Sequence, residues 1–130
     1  MFPVAQRPIT DIIKRAHARV YNSMSDLEVI CEMVHNLGRP TVARFTGTPD
    51  LKTVSRWTLS RNAPKDDRLE KIRNAAVAYY SLLELGMTST NAEQWFRGAN
   101  PTLGFTMPVD TLRAGNYPAF FSAVESLGHQ

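Results

Sequence analysis

The sequence predicts an all-α fold, and three observations carry that prediction. Apolar residues recur at helical spacing through most of the 130-residue chain. No segment shows the apolar–polar alternation of a half-buried strand. Ser, Thr and Asp caps, with Gly and Pro stops, punctuate the chain at helix-sized intervals. Hydrophobic residues make up 43 % and charged residues 21 %, a balance that supports a packed core.

The elements follow in order. Met1–Pro8 has two prolines and no periodicity and reads as an arm. Thr10 is expected to cap a helix over Asp11–Asn22, with Ile12, Ile13, Ala16 and Val20 inward. Ser25-Asp26-Leu27-Glu28 is a capping-box sequence. It opens a helix with Leu27, Ile30, Val34 and Leu37 on one face, Cys31 and Met33 at its edges, and Gly38 as its stop. Pro40 starts the next element, with Val42, Ala43 and Phe45 inward, and Gly47 ends it. Thr48-Pro49 opens a helix anchored by Leu51, Val54 and Trp57, which closes at Arg61-Asn62-Ala63-Pro64.

Asp66 or Asp67 caps a long helix to Leu85, with Leu69, Ile72, Ala76, Tyr79, Tyr80 and Leu83 as its stripe. In the last third, Thr90 and Glu93 suggest a second capping box, and Asn100-Pro101 breaks that helix. Pro108 to Arg113 is a short helix. Asn116 caps a final one over Tyr117–Leu127, and Gly128 stops it. The expected division is 1–24, a basic arm and helix; 25–86, a central helical domain; and 87–130, a small C-terminal helical domain.

Charge is unevenly spread. The whole chain carries +3. Residues 1–24 carry +3, residues 38–73 carry nine bases against four acids, and residues 87–130 carry −1. A basic front suits a polyanion, and the back suits a different partner. The single cysteine, Cys31, excludes an internal disulfide and reads as a small buried hydrophobe. No apolar run reaches membrane-spanning length and no signal-peptide pattern opens the chain, so a cytoplasmic location is expected.

Candidate chemistry is sparse. His17, His35 and His129 are scattered without metal-ligand spacing. No phosphate loop or nucleophile elbow is present, and Asp66-Asp67 reads as helix capping. The chain is therefore expected to be a binding protein and not an enzyme, with no cofactor.

Residues 41–60 have the pattern of a helix-turn-helix, two short helices joined by a Gly-containing turn. Val54 and Trp57 would anchor the second helix. Lys52, Thr53, Ser55 and Arg56 would then face a DNA major groove, and Arg39, Thr41, Arg61 and Asn62 would hold phosphates. The interval from Ala43 to Val54 is about one residue longer than the usual pattern. Asp50 adds a negative charge beside the reading face.

Two segments carry a family resemblance. Lys52-Thr53-Val54-Ser55-Arg56-Trp57 looks like the recognition helix of Xre-type antitoxins. Ala92-Glu93-Gln94-Trp95-Phe96-Arg97-Gly98-Ala99-Asn100-Pro101 resembles the opening of the toxin-binding domain called Xre/MbcA/ParS-like. Pro108-Val109-Asp110-Thr111-Leu112-Arg113, Gly115-Asn116-Tyr117 and Phe120–Leu127 follow in the order that domain shows. The resemblance spans residues 41–128. It implies an Xre-like helix-turn-helix core and an antitoxin of a type II toxin–antitoxin system. The partner it implies is a RES-domain toxin that consumes NAD, its active site covered by the C-terminal domain. It also implies operon autoregulation through DNA. On this view Leu112, Arg113, Tyr117, Phe121, His129 and Gln130 form the toxin contact, in a homo-oligomer or a hetero-oligomer with toxin. Trp95 and Phe120 read as core; Tyr117 and Phe121 suit either core or contact. The other reading is a stand-alone transcriptional regulator that dimerises through its tail.

Overall fold

A computed structural model describes residues 8–59 and 63–129. Residues 1–7 of the expected arm Met1–Pro8, with residues 60–62 and Gln130, lie outside the described residues. The described residues are helical, without strands. The elements are α1 (Ile9–Ala18), a π-helical turn (Arg19–Ser23), α2 (Asp26–Leu37), α3 (Arg39–Thr46), α4 (Leu51–Trp57) and α5 (Asp67–Glu84). They continue with α6 (Ser89–Arg97), a 3-10 turn (Pro101–Leu103), α7 (Pro108–Arg113), α8 (Tyr117–Ser126) and a last 3-10 turn (Leu127–His129).

The long helix α5 is the axis. α1, α2, α3, α6, α7 and α8 all pack against it. The sequence predicts one apolar stripe on α5, yet Ile72 and the whole run Asn74 to Leu82 are buried. The reason is its central place. Ala75, Ala76 and Ala78 are small enough for neighbours to approach from several sides. The polar members of the run satisfy themselves locally. Ser81 Oγ donates to the Val77 carbonyl at 2.7 Å and Asn74 Nδ2 to the Glu70 carbonyl at 2.8 Å. One hydrophobic cluster runs from Ile9 through Trp57 and Ile72 to Phe120 and Val124. Residues from all three expected segments therefore share a core.

α1 begins two residues before its expected start, with Pro8 as its N-cap and Thr10 exposed inside the helix. Ile9, Ile12, Ala16 and Val20 form its buried ridge. The helix then widens into the π turn. Arg73 of α5 meets it there, donating from Nη1 to the Val20 carbonyl at 2.6 Å and pairing through Nη2 with Asp26. That guanidinium satisfies a carbonyl the irregular turn leaves open.

The Ser25 capping box forms as predicted. Glu28 N donates to Ser25 Oγ at 3.1 Å, and Ser25 N donates to Glu28 Oε1 at 2.9 Å. The buried face of α2 is rotated from the expected one. Val29, Ile30, Met33 and Leu37 are inside, whereas Leu27 is 37 % exposed. Contacts with α3, α4, α5 and α6 set that face. α6 is capped by Thr88, whose hydroxyl accepts from Asn91 N at 3.1 Å. The expected Thr90–Glu93 box does not form, because Glu93 turns along the helix to pair with Arg97. α7 and α8 lie where predicted, and Asn116 caps α8 through Ala119 N at 3.3 Å.

Candidate nucleic-acid interface and C-terminal contact surface

α3 and α4 are joined by Gly47–Asp50. Gly47 adopts a left-handed conformation, φ 71°. The Thr48 amide reaches back to the Ala43 carbonyl at 2.9 Å, the longer-range bond of a Schellman-type stop. Two buried hydroxyls brace the turn: Thr46 Oγ1 and Thr48 Oγ1 lie 2.9 Å apart, and Thr46 also bonds the Val42 carbonyl at 2.7 Å. α4 starts at Leu51, later than the expected Thr48-Pro49, because Asp50 supplies the cap. Its carboxylate accepts from Lys52 N at 2.9 Å. The acid that counts against a DNA-facing surface is thus engaged in holding the helix. Leu51, expected inward, is 40 % exposed. Val54 and Trp57 are buried as predicted, and the Arg68 guanidinium lies 5.5 Å from the Trp57 ring centroid.

The predicted DNA-facing residues divide into groups. Lys52 and Arg56 are exposed on α4, and Thr53 and Ser55 are half-buried. Arg39 is exposed, and its Nη1 donates to Ser55 Oγ at 2.9 Å, so these residues form one surface. Thr41 does not belong to it. It is 4 % exposed and is reached from a cleft of about 570 Å³ lined by His35, Arg44, Glu93 and Arg97 among others. A buried threonine at that depth cannot touch a duplex phosphate directly, so its expected contact is corrected. Arg61 and Asn62 lie outside the described residues.

The predicted C-terminal contact residues also separate. Leu112 is wholly buried, with no surface to offer a partner; this is a correction, and its physical reason is that α7 is packed on α3, α6 and α8. Tyr117 and Phe121 are half-buried and stand one turn apart on α8, on one face. The Phe121 ring meets Phe120 edge-on, centroids 5.2 Å apart. Burial raises the Tyr117 hydroxyl above its ordinary range, with the Glu70 and Asp67 carboxylates adding to the effect. Arg113 is elsewhere. A Cβ built on Gly47 would lie 3.6 Å from Arg113 Nε, so this side chain covers the α3–α4 turn. Gln130 and the His129 side chain are outside the described residues. The 3-10 turn Leu127–His129 docks on α1: a Cβ at Gly128 would fall 2.6 Å from Ile9 Cβ, a separation only glycine permits.

Sequence reasoning missed two features. One is the pair Arg44–Asp110, in which Nε and Nη2 each donate to a separate carboxylate oxygen at 2.9 Å. No local spacing signals it, because the two partners lie 66 residues apart in the sequence. The other is Phe105, 70 % exposed with φ 70°. Its loop is closed by Asn100, whose carbonyl accepts from Leu103 N at 2.9 Å and Phe105 N at 2.8 Å. No sequence signal marks a non-glycine residue there.

Among the described residues no group of His, Cys, Asp and Glu side chains could hold a metal ion. No described helix is long and apolar enough to cross a membrane. Comparison with family models, curated proteins and solved structures finds no match to the chain.

Proposed function

We propose that this protein is an antitoxin that binds duplex DNA through a helix-turn-helix formed by α3 and α4 and neutralises a partner enzyme through its C-terminal helices. The observation that carries the DNA half is the α3–α4 pair itself. A left-handed glycine turns the chain, Val54 and Trp57 fasten α4 to the core, and Lys52, Arg56 and Arg39 remain on the surface. That arrangement suits entry of α4 into a major groove, with arginine and lysine available to guanine edges or phosphates. The partner half rests on the resemblance of residues 92–128 to the Xre/MbcA/ParS-like domain. The half-buried ridge of Tyr117 and Phe121 supports it, because aromatic side chains of partial exposure make efficient interface anchors. The partner so implied is a RES-domain, NAD-consuming toxin whose active site the C-terminal region covers.

Co-expression tests the reading. The chain is expected to rescue growth of cells producing the RES-domain toxin encoded beside it and to co-purify with that toxin. Absence of a RES-domain neighbour, together with failure to protect against such a toxin, removes the antitoxin reading. The alternative, a stand-alone transcriptional regulator, is favoured by one observation. α7 is clamped to α3 by Arg44–Asp110, so the tail forms part of the body that carries the DNA-facing helix. Duplex binding without any toxin partner would select it.

A further inference from the structure

We infer that Arg113, the last residue of α7, belongs to the polyanion-binding face and holds a phosphate of duplex DNA beside the α3–α4 turn. The inference rests on the DNA half of the reading above. It moves one residue from the expected partner contact to the opposite function.

The geometry begins with the turn. Gly47 lies three residues before the cap of α4, and Arg113 Nε is 3.6 Å from where its Cβ would be. Arg113 Nε therefore stands beside the C-terminal end of α3, at the start of the turn that leads into α4, and α4 is the helix that a helix-turn-helix presents to DNA. The carrier of Arg113 is rigid. Val109, Thr111 and Leu112 are buried, and Asp110 is gripped by Arg44. A phosphate-binding arginine gains from such a mount, because less side-chain and backbone freedom is lost on binding.

The charges point the same way. Arg113 is exposed and forms no ion pair among the described residues. The nearest acid on the turn, Asp50, is occupied in capping Lys52 N, and Asp110 is taken by Arg44. The C-terminal end of α7 favours a cation, which explains tolerance of arginine there. It does not explain why the side chain lies over the turn. Lys52, Arg56 and Arg39 are likewise exposed on α4 and α3, and the anion that α4 would bring to the turn between these helices is the sugar–phosphate backbone.

The test is the salt dependence of binding to a fluorescein-labelled, mixed-sequence duplex of about 30 base pairs, since a phosphate contact is independent of sequence. Wild-type protein, Arg113→Ala, Arg113→Lys and the double variant Lys52→Ala/Arg56→Ala are compared between about 50 and 200 mM salt. Arg113→Ala is expected to weaken binding roughly tenfold near 100 mM and to flatten the log–log salt slope by about 0.9. Arg113→Lys should restore most of both. If the double variant loses binding while Arg113→Ala keeps wild-type affinity and slope, the assignment of Arg113 is overturned and the DNA reading stands. If the wild-type protein binds no duplex, both are overturned. A loss in Arg113→Ala that lysine does not repair assigns the residue to turn geometry and also overturns the phosphate contact. Loss of toxin binding in Arg113→Ala with duplex binding intact returns the residue to the partner surface.

Discussion

Arg44 of α3 and Asp110 of α7 form a bidentate pair, with both N–H···O distances at 2.9 Å. The side chains are 46 % and 34 % exposed, so solvent screens much of their attraction. What the pair supplies is register. A planar guanidinium meeting both oxygens of one carboxylate fixes the rotation of α7 against α3. One turn further, the same rotation puts Arg113 over Gly47.

Asp110→Ala is therefore expected to cost little stability, about 0.5–1 kcal/mol, while loosening α7. Urea unfolding of the two single variants Arg44→Ala and Asp110→Ala and of the double variant gives the coupling energy. Amide exchange along α7 should quicken in each single variant without a matching change in α5. A coupling indistinguishable from zero, with α7 exchange unchanged, would show that packing of Val109 and Leu112 alone sets the register.

Phe105 holds a backbone conformation that bulky residues avoid, φ 70°, while leaving most of its ring in solvent. Burial of the side chain returns little for that strain. Phe105→Asn keeps a side chain compatible with the left-handed region and should raise unfolding free energy by about 1 kcal/mol. The urea midpoint should rise with an unchanged m-value. A lowered midpoint would mean that the ring stabilises the loop more than its exposure implies.

Helix positions and stops were legible in the sequence because they depend on local chemistry. Ser25 with Glu28, Asn116, Pro108 and Gly47 act within a few residues of themselves, and each is found in its predicted role. Burial was legible for Val54 and Trp57, whose three-residue spacing puts them on one side of α4. It failed where several helices meet. α5 is enclosed on most sides, and Leu27 gives way to Val29 because partners distant in sequence choose the face. The site divided in the same way. Lys52 and Arg56 are exposed as their helical phase requires. The burial of Leu112 and the placement of Arg113 depend on how α7 docks against α3, which no local pattern encodes.

Alkaline stability should report on Tyr80. Burial, helped by the neighbouring Glu32 carboxylate, pushes its hydroxyl up to about 12, although Arg19 over the ring opposes the shift. Below pH 10 the phenol is protonated in folded and unfolded chains alike, so it adds no pH dependence. Between about pH 10 and 12 the unfolded chain releases the proton first, and stability falls as pH rises. Tyr21, raised in the same direction by burial and by Glu70, adds to that fall. Tyr80→Phe should flatten the decline in urea midpoint between pH 9.5 and 11.5. An undiminished decline in that variant would place the effect in other groups.

Leu112 separates core from contact. Its side chain is fully buried in a helix held against α3, α6 and α8. Leu112→Ala should cost about 2–5 kcal/mol, as cavity-forming substitutions do. Leu112→Met should cost less than about 1.5 kcal/mol, because methionine conserves volume and bends to fill the space. The methionine variant is the informative one for function, since it remains folded. Its affinity for the proposed toxin partner should equal that of the wild type, whereas Tyr117→Ala and Phe121→Ala, on the half-buried ridge, should each weaken it by about 1–2 kcal/mol. Titration calorimetry on the folded variants reads both quantities. A methionine variant that folds normally yet loses the partner would show that α7 opens on binding and that Leu112 enters the interface.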